Sequence, residues 1–193
     1  MCLAMAAVVW SMAAASATGQ GDPGVVFEAE VVQIFVEPDS LRIEGHYFMR
    51  GSGDREQVVL LSYPYPQDSR LAGARTLTLE AITEAATCPP NFSERNDGRG
   101  VRWWVPVSPG RRVQVYTVYR QARLENFARY IVTTTQAWQR PLARARFEIY
   151  LPEGAHPVEF SHAFQPGEGD GGPCWVYEEN DFWPERDISV RWE

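Results

Sequence analysis

Lysine is missing altogether: the 18 basic residues are all Arg. That excludes a lysine Schiff base, a lysine general base and a P-loop lysine. Basic charge is short overall. Against 25 acidic residues the net charge is −7 and the isoelectric point about 5.1. The electrostatic footprint of a general nucleic-acid binder is therefore lacking, although Arg102, Arg111, Arg112, Arg120 and Arg123 gather in one stretch. Histidine and cysteine number three each. No HExxH, CxxC or GxSxG pattern occurs among them. His156 and His162 would share a face of an unbroken strand, but the nearest carboxylate, Glu159, has the opposite parity and supplies no third ligand. The loop GEGDGG (167–172) lacks the spaced acidic series and closing Glu of a calcium loop. No metal or other cofactor is expected, and no catalytic residue is assigned.

Long apolar runs are also scarce. The only one is the opening MCLAMAAVVWSMAAASA, which ends in the A-x-A pattern Ala15-Ser16-Ala17. It is too short, and too broken by Ser11, to span a bilayer well. It reads as a secretory signal over residues 1–17, although no Lys or Arg precedes its apolar stretch. TGQGDPG (18–24) then forms a leader, and 25–193 a single domain with no membrane span in the mature chain. Export leaves Cys88 and Cys174, both beside prolines, for one disulfide. Such a bridge would add about 4 kcal/mol in the chain-entropy model.

What is abundant is strand signal. Hydrophobic residues make up 45% of the chain and aromatics 12%, enough to fill a core. VVFEAEVVQIFVE (25–37) switches its inward parity near Glu30, the signature of a bulge. In LRIEGHYFMR (41–50), Leu41, Ile43, Gly45, Tyr47 and Met49 alternate inward. Residues 101–107 and 111–121 flank the turn SPG and read as a second hairpin. Further runs cover 57–64, 75–83, 126–134, 143–151, 157–164, 174–179 and 187–192. About ten short strands with almost no helical periodicity predict an all-β, antiparallel β-sandwich.

Period-two alternation in the second hairpin puts Trp103, Val105, Val113 and Val115 inward. Arg102, Trp104 and Tyr116 then share the other face, a surface suited to stacking on sugar or to a protein partner. Tyr63 and Tyr65 in SYPYP either form a second candidate contact strip or cap one end of the sandwich, and Trp183 reads as a plug at one end of the sandwich. The run of three threonines in YIVTTTQAWQRPL (130–142) has no general base nearby in sequence. It reads as a corner between strands: Thr134 or Thr135 caps a helical turn, Trp138 anchors it, and Pro141 ends it.

Three segments, YPYPQD (63–68), YIVTTTQAWQRPL (130–142) and FWPERDISV (182–190), carry a resemblance. They are similar to the FPxPD-like loop, the Y-x-L-T-T-G-x-x-W-x-x-P-[IL] segment and the F-x-P-x-x-D-[IL] segment of an uncharacterised family of bacterial exported proteins. This chain departs from the pattern at Thr135, where that family has Gly. A weaker analogy is to VIT domains. The resemblance implies export and a β-rich fold, and implies no activity. The reading that results is a non-catalytic structural or binding module whose partner is another envelope or extracellular protein. Glycan binding through exposed aromatics is the alternative, and a hydrolase with an unrecognised site the distant one.

Overall fold

The computed structural model describes residues 8–9, 24–83, 87–88, 92–94 and 98–193. Of the expected export signal and leader only Val8, Val9 and Gly24 fall among these; the rest lies outside the described residues. Val8–Val9 form the two-residue strand β1. β2 (Val25–Val36) and β3 (Ser40–Gly51) make the first expected hairpin. Then come β4 (Gln57–Pro64) and β5 (Leu71–Thr83), followed by two short strands, β6 (Thr87–Cys88) and β7 (Phe92–Glu94), in what reads from sequence as a loop. β8 (Gly100–Val107), β9 (Arg112–Arg123) and β10 (Phe127–Tyr130) lead to a 3-10 helix at Thr133–Trp138. The chain closes with β11 (Leu142–Tyr150), β12 (Pro157–Phe160), β13 (Gln165–Gly169), β14 (Gly172–Phe182) and β15 (Ile188–Trp192).

These strands form a β-sandwich. The large sheet has eight strands in the order β13-β14-β11-β2-β3-β9-β5-β6. Against its inner face lie the sheets β1-β4-β8-β7 and β10-β15-β12. One core joins all three: Val32, Ile43 and Phe147 from the large sheet, Leu61 and Trp103 from the second, Ile188 and Val190 from the third. Pairing is antiparallel with two exceptions, β1 beside β4 and β11 beside β2. The second exception follows from burial. Phe147 to Tyr150 are buried without a break, as a strand covered on both faces requires. On its outer face, Gly169 and Gly171 bring the β13–β14 turn so close to Tyr150 that neither position has room for a Cβ.

The predicted parity switch in β2 is a bulge. Phe27 pairs with Met49 and Ala29 with Phe48, which leaves Glu28 as the extra residue. Beyond it Glu30 faces inward with Val32 and Ile34, and is only 1% exposed. A bare carboxylate there would be costly, and the surroundings answer with phenols. Tyr130 donates to Glu30 Oε2 at 3.2 Å, and the Tyr47 hydroxyl lies 3.3 Å from that of Tyr130 and 3.2 Å from that of Tyr63. These side chains, with Trp103 and Thr134, line a small cavity of about 20 Å³, room for one water molecule. Tyr63 and Tyr65 therefore belong to the core, at 6% and 1% exposure, and not to a contact strip. Gly45 is part of the same arrangement, since a Cβ on it would collide with the Tyr47 ring.

Three further expectations change. β8 and β9 are not a hairpin: β8 pairs with β4 and β9 with β3, so SPG is a corner between sheets. The inward set Trp103, Val105, Val113 and Val115 is buried as predicted, but by two sheets facing each other. Trp104 and Tyr116 consequently look outward on opposite sides. The Cys88–Cys174 disulfide is also absent. Cys174 is a buried free thiol on β14, and five strands separate it from Cys88 on β6. Bridging needs Cα atoms within about 7 Å, whereas neighbouring strands alone are about 4.8 Å apart.

Gly45→Ala should destabilise the fold by about 1–3 kcal/mol through overpacking against Tyr47, read as a lower denaturation midpoint. The buried carboxyl predicts a second effect. Burial pushes Glu30 up to about 8, only partly offset by the Tyr130 hydrogen bond, from an ordinary value of 4.5. Between those values the folded protein holds a proton that the unfolded chain releases. The Glu30 contribution to stability is thus complete below about pH 4.5 and is lost as pH rises through 8, by up to about 1.4 kcal/mol per pH unit. In urea titrations across this range, Glu30→Gln should flatten the slope.

Candidate functional site

The three segments singled out in the sequence meet at one corner. Asp187, just before β15, is its centre. Its Oδ1 accepts the backbone N–H groups of Val132 and Thr133, each at 3.2 Å, and the Thr133 hydroxyl at 2.7 Å. Its Oδ2 accepts Arg129 Nε at 3.0 Å and Nη2 at 2.6 Å. Arg129 also lies 3.8 Å from Asp68, which Arg70 grips in a two-pronged pair at 2.9 Å and 2.9 Å. Burial pushes Asp187 up, but the hydrogen bonds from Arg129 and Thr133 outweigh it and leave the carboxyl below its usual range. The Arg70 hydrogen bonds hold Asp68 at about 2.

The threonine run is therefore a joint, built differently from the expectation. Thr134 and Thr135 do not cap the helical turn. The cap position is Val132, without a side-chain cap of its own; Asp187, just before β15, reaches the Val132 and Thr133 N–H groups instead. The Thr135 hydroxyl donates to the Val132 carbonyl at 2.8 Å. Trp138 is half-buried with its ring 5.8 Å from that of Phe27. The turn ends in left-handed Gln139 (φ 55°), and Pro141 is exposed beyond it.

Beside the joint, on the sheet β10-β15-β12, opens a cleft of about 310 Å³. Arg70, Arg129, Arg186 and Arg191 line it, with Phe127 and Val190 at its base. The Arg70 guanidinium lies 3.4 Å over the Phe127 ring, a cation–π contact. Arg191 pairs at 3.4 Å with Glu159, both side chains more than half exposed. Arg186 forms no ion pair among the described residues. Ser161 Oγ accepts the Ser189 N–H at 2.8 Å and lies 2.8 Å from His162 Nδ1. Burial, with Arg186 adding to it, pulls His162 below its usual range.

A second opening of about 640 Å³ runs along β2. β11 pairs with β2 only from Ala29 onward, while Leu142 turns away to pair with Phe182. The flank of β2 from Val25 to Glu28 is left without a neighbouring strand among the described residues. Val26, Val31, Phe48, Pro141 and Ala143 give the groove an apolar lining, and Glu28, Arg112, Arg140, Arg144 and Asp181 a charged rim. Glu28 is held by Arg50 at 2.6 Å and Arg112 at 3.1 Å.

The expected aromatic surface is dispersed. Arg102 and Trp104 are exposed on the outer face of β8. Tyr116, on the opposite side, donates to Glu44 at 2.9 Å and stacks on His46 at 4.7 Å. Trp183 is 44% exposed, so it does not plug the sandwich. Sequence reasoning missed Arg70, Arg129 and Asp187 as a unit. Asp68 and Asp187 do fall inside the quoted segments, whereas nothing in the local sequence marks Arg70 or Arg191.

No family model matches the chain, and no curated protein does. Among solved structures, the fold is similar to that of a proposed nutrient binding protein of Legionella pneumophila subsp. pneumophila, with a TM-score of 0.65 at 12% identity. The match covers 88% of this chain and 67% of that one. A two-domain M1 zinc metallopeptidase mutant bound to L-tryptophan aligns with a TM-score of 0.49 at 12% identity, over 89% of this chain and 43% of that one. At 12% identity the likeness to the first is one of fold.

Asp187→Ala should cost roughly 2–4 kcal/mol, since it strands the Arg129 charge and two N–H groups. The wild-type contribution is present above the unfolded carboxyl value and is lost as pH falls below about 4. Thermal melts between pH 2 and 6 should show that acid limb in the wild type and a shallower one in the variant.

Proposed function

We propose that this protein is an exported, non-catalytic binding module that docks an extended segment of another envelope or extracellular protein along the open flank of β2. The observation that carries this reading is the groove itself. An unpaired strand edge offers main-chain donors and acceptors to an incoming strand, the apolar lining provides pockets for alternate side chains, and the charged rim fixes register. Such a division of apolar centre and polar rim is the usual anatomy of a protein interface. The A-x-A ending of residues 1–17 and the resemblance to an exported bacterial family support the location. The likeness in fold to a proposed nutrient binding protein fits a binding role.

A glycan surface has less support, because Trp104 and Trp183 lie on separate elements and Tyr116 is tied to Glu44. One observation favours a hydrolase as a second reading, the Ser161–His162 contact inside a polar cleft. Yet Ser161 Oγ already receives the Ser189 N–H, which makes it a strut between β15 and the segment after β12. Unchanged turnover of ester substrates by Ser161→Ala would remove that reading.

Ala143 is exposed within the groove lining. Ala143→Arg should therefore fill the groove without touching the core. In co-purification from the native envelope with mass spectrometry, the partner recovered with the wild type should fall at least tenfold with this variant, while the melting temperature holds. The same partners at the same yield with Ala143→Arg would overturn the docking surface.

A further inference from the structure

The arginine cleft on the sheet β10-β15-β12 has no part in the proposed docking groove. We infer that it is a binding site for the carboxylate of a small organic acid, with Arg186 and Arg191 as the ligand-facing pair.

The argument begins with charge. The whole chain is acidic, at −7, yet four guanidinium groups line one cleft. Two of them are committed. Arg70 is locked in a two-pronged pair with Asp68, and Arg129 in one with Asp187. Both carboxylates are held in their charged form by these partners, so neither releases its arginine to a ligand. These pairs build the wall and fix its geometry. The other two arginines are available. Arg191 has a single contact at 3.4 Å to the exposed Glu159, and Arg186 has no ion pair among the described residues. An exposed pair of this kind holds little free energy and yields readily to a better-shaped acceptor.

Pairing guides the ligand's charge. Arg70, Arg129 and Arg191 are offset by Asp68, Asp187 and Glu159, and Glu125 also acts on Arg70, whereas Arg186 is the lining charge without an ion-pair partner among the described residues. A monoanion neutralises it. A phosphate dianion would leave an excess negative charge in a chain whose net charge is already −7. Guanidinium forks match a planar carboxylate in shape, with two parallel N–H···O bonds. The volume of about 310 Å³ is at the small end for ligand sites.

The test titrates the full chain with N-acetylalanine, with N-acetylalanine amide, and with inorganic phosphate, followed by backbone amide shifts. N-acetylalanine should saturate shifts around Ser161, Arg186 and Ser189, the amide should not, and phosphate should bind at least tenfold more weakly. Arg186→Gln should weaken N-acetylalanine at least tenfold with an unchanged melting temperature, and Arg140→Gln in the β2 groove should leave it unaltered. Equal binding of acid and amide would overturn the site. So would phosphate binding as tightly as the acid, an Arg186→Gln titration like that of the wild type, or no saturation at tens of millimolar. The Arg140 control keeps this outcome separate from the fate of the β2 groove.

Discussion

One extra residue in β2 governs much of this molecule. A strand's side chains alternate with a period of two, so inserting Glu28 flips every later residue to the other face. Without the flip, Val32 and Ile34 would point away from the core. With it, Glu30 is carried inward as well, and a cluster of phenols is needed to receive it. The bulge also bends the strand where β11 parts from it, which opens the groove. Glu28 itself remains outside, held by Arg50 and Arg112 from the next two strands. Core polarity and surface opening thus have a common cause.

The second organising contact is the Asp187 carboxylate. It stands in for the cap that the 3-10 helix lacks, orients Arg129, and through it adjoins the Asp68–Arg70 pair. The result is a rigid corner whose outer side is the wall of the arginine cleft. Buried or half-buried carboxylates take opposite fates in this protein according to what surrounds them. Glu30 has a single phenol on one oxygen and none on the other, and is driven toward neutrality. Asp187 has five donor contacts and stays charged.

Local periodicity made the β-sandwich, the β2–β3 hairpin, the bulge and the inward face of β3 legible in the sequence. These depend on neighbours along one strand. It could not separate β8 from β9, because alternation reports which face is buried and not which sheet buries it. The contact-strip reading of Tyr63 and Tyr65 fails for a related reason: flanking prolines indicate an extended backbone but say nothing of what covers it. The three quoted segments contain Asp68, Thr133 and Asp187 without singling them out or revealing that Asp187 binds Thr133 and that Arg129 joins Asp187 to Asp68. Arg70 and Arg191 became visible only in space, since an arginine on a strand looks the same whether it faces solvent or a cleft.

The place of β11 has a consequence for how the chain reaches this state. It lies between β2 and β14, with Gln33 hydrogen-bonded to Glu148 across 115 residues. The centre of the large sheet therefore cannot assemble from its first hairpin outward. The β11 side of β2 stays open until Leu142–Tyr150 has been delivered. Such long loop closure makes assembly slow, and a chain that folds late remains threadable for longer than one that folds as it emerges.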